Sequence, residues 1–299
     1  MTTPNPARAF GITNNMRGVG LAFLSTIAFS SGMAVVRYLS AELHPFQIAF
    51  FSAFFGLLTM LMLVPRYGLR SFRTDRFMLQ FARSILSVVG ILAVYYALST
   101  TPLATVTALN FTMPIFTTVL AVLILKERVD WAKWIAILFG FAGVFVIVRP
   151  GVVDVDTGAL LVIFGSVLFA FTILVMKVLT RTDAIASITL YGVMLRAPLA
   201  LVPALFVWQW PDARQLLWLA AMGSVGTLSS FAFAQALKDV DTNVVSPMFF
   251  LQLIWSAAIG YVIFAEVPSV FTWLGGAMIL SSVTYMAYRE SRASKPIDA

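Results

Sequence analysis

Residues 102–125 read PLATVTALNFTMPIFTTVLAVLIL, and this stretch decides the class of fold. It carries no charged side chain and has the length that an α-helix needs to cross the hydrocarbon core of a bilayer, about 20 residues. Pro114 lies near its middle and has no N–H to donate to the carbonyl of Asn110. The sequence therefore predicts a membrane span with a kink and a free carbonyl beside the Asn110 amide.

Nine further apolar runs of similar length flank this one on both sides. Together they predict an all-α polytopic membrane protein with ten transmembrane helices, at about 17–38, 45–64, 76–98, 102–125, 131–149, 157–178, 185–208, 213–236, 243–264 and 270–288. The breaks between them are short and carry charges, proline or glycine. None is long enough to hold a soluble catalytic domain, so the function has to lie within the bundle.

The composition excludes several classes of protein. Hydrophobic residues make up 60% of the 299-residue chain and charged residues 11%, with a mean hydropathy of +0.93. Soluble domains contain about 45–50% apolar and about 25% charged residues, so a soluble enzyme and a disordered chain are both excluded. The first apolar run is longer than the ~7–15-residue core of a signal peptide and is interpreted as a membrane helix. The absence of cysteine excludes disulfides and thiol chemistry.

The net charge of +7 is distributed unevenly over the predicted loops. Fifteen of the 20 Lys and Arg side chains fall in the tails and loops of one side, three fall on the other side, and Arg83 and Arg196 fall within spans. Basic loops face the cytoplasm, so both termini are predicted to be cytoplasmic and the chain to be a multi-pass protein of the inner (plasma) membrane. This distribution leaves no basic domain for a nucleic-acid partner.

The two halves of the chain resemble each other at a shift of about 140 residues. At a shift of 140, Arg37 aligns with Lys177; at 139, Glu127 aligns with Glu266 and Trp134 with Trp273. The predicted organisation is a cytoplasmic tail (1–16), a first repeat of five helices (17–150), a second repeat of five helices (151–288) and a second cytoplasmic tail (289–299). Because five is odd, the second repeat enters the membrane from the opposite side, as in many secondary transporters.

Paired motifs in both halves resemble the drug/metabolite transporter superfamily, specifically its ten-helix EamA family. They are Tyr96-Ala-Leu, Pro102, Lys126-Glu127-Arg128, Trp134 and Gly140-Phe-Ala-Gly143 in the first half, and Ala236-Leu237, Pro247, Ala265-Glu266 and Trp273-Leu-Gly-Gly276 in the second. Among its members the chain is most similar to the YddG-type aromatic amino-acid exporters. The resemblance implies efflux of small metabolites by alternating access.

The sequence contains few residues that could couple transport to an energy source. There is no phosphate-binding loop and no Gly-Lys pair, so ATP is not expected to drive transport. All 13 acidic residues map to loops, tails or span ends, and the single histidine, His44, lies in a predicted loop. We therefore predict no catalytic residues, no metal and no cofactor, and movement along the substrate gradient. Proton-coupled antiport at a carboxylate near the membrane surface stays open as an alternative.

Polar and aromatic residues in the spans are the candidates for a substrate cavity. Trp255 is the only tryptophan in mid-span, and Gln252 shares its helical face, whereas the other six lie near span ends as interfacial anchors do. An aromatic face with amide neighbours suits a flat, amphipathic zwitterion. The predicted cavity residues are Ser30, Tyr95, Tyr96, Asn110, Pro114, Phe171, Gln235, Gln252 and Trp255. Helix packing is the competing interpretation, particularly for the single hydroxyls.

The two arginines within spans receive separate interpretations. Arg83 lies close enough to a span end to extend its head group to the cytoplasmic surface. Arg196 is deeper and is expected to face the bundle interior because exposure to lipid is costly. A structural role, such as pairing with carbonyls, is favoured there over binding a substrate carboxylate.

The sequence thus predicts a transporter that exports amino acids, with aromatic and other apolar ones favoured. Its partners are a small-molecule substrate and the lipid bilayer; the oligomeric state stays open. Within the same class the alternatives are a quaternary-ammonium drug or a nucleotide sugar as substrate. An intramembrane enzyme acting on lipids would need clustered carboxylates or histidines at one depth, which the sequence lacks, and a channel would be separated from a carrier by saturable transport.

Overall fold

The computed structural model describes residues 6–63, 74, 76–127, 129–151, 156–183, 185–239 and 242–293. Within these ranges the chain is helical and contains no strand. The helices are α1 (Pro6–Leu39), α2 (Pro45–Leu63), α3 (Phe77–Thr100), α4 (Leu103–Asn110), α5 (Met113–Leu125), α6 (Trp131–Val148), α7 (Thr157–Leu179), α8 (Ile185–Leu205), α9 (Ala213–Asp239), α10 (Thr242–Phe264) and α11 (Val270–Ala293).

The helices confirm the all-α polytopic fold predicted from the apolar runs. With α4 and α5 taken together as one span, ten spans follow each other in the predicted order. Eight segments of the described chain are long and apolar enough to cross a bilayer: Val19–Leu39, Pro45–Met62, Phe77–Thr100, Leu103–Leu125, Trp131–Val148, Thr157–Leu179, Ser187–Leu205 and Val270–Arg289. The first helix begins at Pro6, before its apolar segment, which begins at Val19.

The fourth span is interrupted where the sequence predicted a kink. Helix α4 ends at Asn110 and α5 begins at Met113. The backbone N–H and the hydroxyl of Thr112 both donate to the carbonyl of Leu109, over 3.0 and 2.7 Å. Pro114 becomes the second residue of α5 because proline fits the first helical turn, where an N–H would have no intrahelical partner. The span is therefore two helices end to end.

Short polar signals fix the helix ends. Asp130 and Asp156 each precede a helix and accept a hydrogen bond from a backbone N–H of its first turn. Asp212 and Gln215 form a reciprocal capping box at the start of α9, with bonds of 2.6 and 2.8 Å. These caps hold the short loops, so the spans on either side enter the bilayer region at defined points.

The packing of the spans is symmetrical between the two predicted repeats. Helix α1 packs against α9 and α10, while α7, its counterpart in the second half, packs against α3 and against both α4 and α5. Helices α2 and α8 pack against each other, and so do α6 and α11. Each pairing is matched by the pairing of the equivalent helices. This is the arrangement that two repeats related by a two-fold axis produce.

Glycines allow a close approach between α6 and α11. An added Cβ at Gly143 would lie 2.7 Å from the carbonyl oxygen of Gly275 and 3.0 Å from Ile279. The obstacle at this distance is backbone, which cannot rotate aside. In lipid, helices associate largely through such close packing of small residues.

Replacing Gly143 with alanine is expected to lower stability, because the helices must separate to admit the new methyl group. Overpacking of this kind costs about 1–3 kcal/mol, more than the roughly 1 kcal/mol that alanine gains in helix propensity. The midpoint of thermal unfolding in detergent measures the effect. Gly226→Ala is the matched control, since nothing lies within 4 Å of a Cβ at that position. A midpoint for Gly143→Ala at or above that of Gly226→Ala would contradict the packing argument.

Candidate substrate-binding site

An ion pair closes one end of the bundle. Arg37, near the end of α1, lies 2.9 Å from Glu266 in the loop between α10 and α11, and both side chains are mostly buried, 22% and 12% exposed. Arg37 also donates to the carbonyl of Leu98 over 2.9 Å, and Glu266 accepts the backbone N–H of Leu103 over 2.8 Å. The pair therefore holds the end of α3 and the start of α4 as well as the two elements that carry it.

A second ion pair occupies the equivalent position in the other repeat. Lys177, near the end of α7, pairs with Glu127 in the loop between α5 and α6, but these side chains are 50% and 40% exposed. Lys177 aligns with Arg37, and Glu127 with Glu266, at the shifts that relate the two halves. Sequence comparison therefore identified the four residues, while their pairing across the repeats became visible only in the structure.

The same backbone turn presents both glutamates. Lys126 and Ala265 adopt left-handed conformations, with φ of 55° and 53°. The following residues, Glu127 and Glu266, donate their N–H groups to the carbonyls six residues back, Ala121 and Gly260. This is the hydrogen-bonding pattern of a Schellman helix end. The turn that ends each span therefore also positions the acid that pairs with the other repeat.

A hydrogen-bonded polar cluster lies between α1, α4 and α10. Ser30 donates to the carbonyl of Gln252 over 3.0 Å and lies 3.3 Å from the hydroxyl of Ser256. Thr107 donates to Ser256 over 2.8 Å. The sulfur of Met33 lies 3.9 Å from the Gln252 amide nitrogen and 3.8 Å from the Thr107 hydroxyl. The structure thus brings two predicted cavity residues, Ser30 and Gln252, into one network on the line where the two repeats meet.

Trp255 lies beside this cluster and has an unused donor. Its indole N–H is buried and has no hydrogen-bond partner in the described part of the chain. The ring packs edge-on against Phe23 of α1, with centroids 5.9 Å apart. A buried indole N–H usually finds a partner. This donor, with the Gln252 amide one turn away, is therefore a group that an incoming ligand can satisfy.

Other predicted residues lie near the break in the fourth span. Asn110, the last residue of α4, is partly buried, and its side-chain oxygen lies 3.5 Å from the hydroxyl of Ser166 on α7. Pro114 is also partly buried, and so is Phe171 on α7. The ring that packs over α3 is Phe169, which lies against Gly90 and which sequence reasoning missed. Gln235 falls in the last part of α9, residues 231–239, whose side chains are not among those that the structure describes.

The two neighbouring tyrosines of α3 have different surroundings. Tyr95 is partly buried, forms a hydrogen bond with Ser52 of α2 and lies near the guanidinium group of Arg196. Tyr96 is 40% exposed and belongs to a cluster of rings with His44 and Phe46 at a helix end. Consecutive helical residues point about 100° apart, so Tyr95 stays close to the interior and Tyr96 lies away from the polar cluster.

The expectation that Arg83 reaches the cytoplasmic surface is wrong. Its side chain is buried, only 8% exposed, and one guanidinium nitrogen donates to the carbonyl of Ile188 on α8 over 2.8 Å. The guanidinium group fills the space beside Gly192, where a Cβ would overlap its terminal nitrogen. Because residue 192 has no side chain, the Arg83 guanidinium group fits between the helices instead of extending to the membrane surface.

Acidic groups occupy only the helix ends and turns of the described chain. They include Asp183, where hydrogen bonds from Thr74 and then Gln80 hold the pKa of the carboxyl below its ordinary value. Burial lowers the pKa of His44. The described residues contain no group of three or more acidic, His or Cys side chains that would hold a metal. Recognition within the spans therefore depends on hydroxyls, amides, rings and the two arginines.

Comparison with known proteins gives one family and several full-length relatives. The model of the EamA-like transporter family matches residues 16–149 and again 156–288. An S-adenosylmethionine uptake transporter of Rickettsia bellii is 30% identical over 92% of this chain and 95% of its own length. A riboflavin transporter of Vibrio cholerae is 30% identical over 90% and 92% of the two chains. One crystal structure shares the fold, with a TM-score of 0.60 and 17% identity over 96% of this chain and 99% of the other.

The two ion pairs are expected to differ in their contribution to stability. Glu266→Ala removes a mostly buried partner of Arg37 and the acceptor of the Leu103 N–H, and hydrogen bonds to charged groups contribute about 1.5–3 kcal/mol each. Glu127→Ala removes an exposed pair, worth about 0–1 kcal/mol. Thermal unfolding in detergent compares the two variants directly. Equal losses would contradict the assignment of the Arg37 pair as the tighter closure.

Proposed function

The chain belongs to the EamA-like transporter family, and from this premise we propose that it carries S-adenosylmethionine across the inner membrane by alternating access. It is a polytopic membrane transporter of the drug/metabolite type. The observation that carries the substrate proposal is the 30% identity to S-adenosylmethionine uptake transporters over nearly the whole of both chains. The relatives compared above carry the names of S-adenosylmethionine and riboflavin transporters and not of aromatic amino-acid exporters.

The chemistry of the candidate site suits this substrate. S-adenosylmethionine combines a flat purine, a ribose, a positively charged sulfonium and an α-amino acid group, so it shares the flat ring and the amino acid group of the substrate inferred from the sequence. Trp255 offers a ring face and an unpartnered N–H, and Gln252 and Asn110 offer amide groups on neighbouring helices. Small-molecule sites generally combine apolar walls with a few such polar groups. We place the substrate between the two repeats, against α1, α4, α7 and α10.

The two ion pairs supply the elements of alternating access. In the proposed mechanism the repeats 17–150 and 151–288 are inverted copies that rock about the site, and the Arg37 and Lys177 pairs, both formed in this conformation, break and re-form at opposite ends in turn. The Arg37 end is the more tightly held one in this conformation, because its ion pair is less exposed and Glu266 also binds the start of α4. The positive-inside rule places the Arg37 end outside and both termini in the cytoplasm.

Movement along the substrate gradient remains the proposed energy source. Proton relays in membranes are usually built from buried Asp, Glu or His, and the described acidic residues lie at helix ends. The direction of net flux is then set by the concentrations of substrate on the two sides. Riboflavin is the second candidate substrate because relatives with 30% identity carry that name.

Purified protein in liposomes is expected to show saturable counterflow of radiolabelled S-adenosylmethionine. Excess unlabelled S-adenosylmethionine should abolish the signal, and an imposed pH gradient should leave it unchanged. Competition by riboflavin, phenylalanine and a quaternary ammonium compound in the same assay ranks the alternatives. Inhibition by riboflavin alone would transfer the assignment to riboflavin, and stimulation by a pH gradient would replace facilitated transport by proton coupling.

Trp255→Ala is expected to weaken substrate binding, because the purine loses its ring partner; stacking of a base on an aromatic side chain is worth about 1–3 kcal/mol. This corresponds to roughly a 5- to 150-fold rise in KM. Trp210→Ala is the matched control, since Trp210 is 84% exposed in the loop between α8 and α9. Equal KM values for Trp255→Ala and the unaltered protein, at equal protein recovery, would remove Trp255 from the site.

A further inference from the structure

The two arginines within the spans lie on helices that pack against each other, and neither has a counter-ion among the described residues. The guanidinium group of Arg83 on α3 lies beside Gly192 of α8, one helical turn before Arg196 on the same face of that helix. No carboxylate of the described chain forms an ion pair with either arginine. The ion pairs of the described residues involve other basic side chains. Asp183, on the turn before α8, is bound by Thr74 and Gln80 instead. Two like charges thus share a low-dielectric interior with nothing to neutralise them.

Both side chains also keep unused hydrogen-bond donors. The Nε–H of Arg83 and the Nε–H of Arg196 are buried and have no partner among the described residues. A guanidinium group has five donors in a planar fork that matches the two oxygens of a carboxylate. The carbonyl of Ile188 satisfies one donor of Arg83 and supplies no formal charge. Pairing with carbonyls, the role first favoured for Arg196, therefore leaves both the charge and these donors unmatched.

The surrounding helices are shaped for this arrangement. Gly192 precedes Arg196 by four residues and so lies on the same face of α8. Any Cβ at 192 would overlap the Arg83 guanidinium group. On the other side, the hydroxyl of Tyr95 bonds to Ser52 and lies near Arg196. Arg196, about 16 Å of helix rise into α8, thus lies between Arg83 and Gly192 on one side and Tyr95, about 18 Å of helix rise beyond Arg83 on α3, on the other.

We propose that Arg83 and Arg196 form the subsite that binds the carboxylate of the transported substrate. This inference rests on the proposed transport function and narrows its substrate class to small molecules with a free carboxylate. S-adenosylmethionine and α-amino acids have that group, whereas riboflavin does not. The subsite lies on α3 and α8 and is separate from the Trp255 face on α10, so it recognises the opposite end of an elongated substrate.

Decarboxylated S-adenosylmethionine tests the subsite because it differs from the proposed substrate only in the missing carboxylate. Inhibition of S-adenosylmethionine counterflow in liposomes gives the affinity of each compound. The unaltered protein is expected to bind the decarboxylated compound about 10-fold or more weakly, as for loss of a charged hydrogen-bond partner. Arg196→Gln and Arg83→Gln are expected to lose this preference, with both compounds bound alike. Arg214→Gln, which alters an exposed pair with Glu42, should keep it.

A purely structural role for the arginines would lower transport of both compounds by the same factor and leave the preference intact, and this result overturns the proposal. Equal affinity of the unaltered protein for the two compounds overturns it as well, even if neither glutamine variant folds.

A substrate-independent measurement separates this proposal from the transport function. Thermal unfolding of the delipidated protein in detergent is compared with benzoate and with benzamide, its uncharged counterpart, and with phosphatidylglycerol. Stabilisation by benzoate alone, lost in Arg196→Gln, supports a carboxylate subsite even if S-adenosylmethionine is not transported. Stabilisation by phosphatidylglycerol alone assigns the arginines to a lipid phosphate and overturns the proposal. The absence of stabilisation by any of the three compounds overturns it as well.

Discussion

The contact between Arg37 and Glu266 is the interaction on which the closed end of this bundle depends. One ion pair connects the end of α1 to the α10–α11 loop, and each partner also satisfies a backbone group, at the end of α3 and at the start of α4. Free carbonyls and N–H groups at helix ends are costly away from water. The pair removes two of these costs while it joins elements from both halves of the chain. The spans that meet at the polar cluster of Ser30, Thr107 and Ser256 are thereby held at a fixed distance.

The equivalent pair of Lys177 and Glu127 shows what the symmetry of the repeats preserves and what it leaves free to differ. The backbone turn that presents the glutamate is the same in both halves, and in each half the basic residue comes before the glutamate in the sequence. The degree of burial differs, with exposures of 50% and 40% against 22% and 12%. Because an ion pair gains strength as water is removed, the same residues hold one end more tightly than the other. A carrier that alternates between two closures needs this kind of inequality to reverse during its cycle.

The apolar interior limits how this protein can recognise a polar substrate. Buried polar groups in the described spans are mostly hydroxyls that donate to carbonyls of their own or a neighbouring helix, so they are already satisfied. The unmatched donors within the described helices are few: the Trp255 indole N–H and the Nε–H groups of Arg83 and Arg196. They lie on different helices, α10 on one side and α3 and α8 on the other. This separation favours an elongated substrate with a ring at one end and a charge at the other over a compact one.

The sequence by itself determined the number and order of the spans. A charge-free apolar run of about 20 residues is unfavourable in water but forms a stable helix across a bilayer. The sequence also located the interruption at Pro114, because the missing N–H acts locally. Local patterns did not show that Arg83 is buried, because that depends on the space which Gly192 leaves on another helix. Nor did they show that Arg37 pairs with Glu266, more than 200 positions away. Only the tertiary structure decides such cases, since the free energy of a charge is set by groups that are distant in sequence.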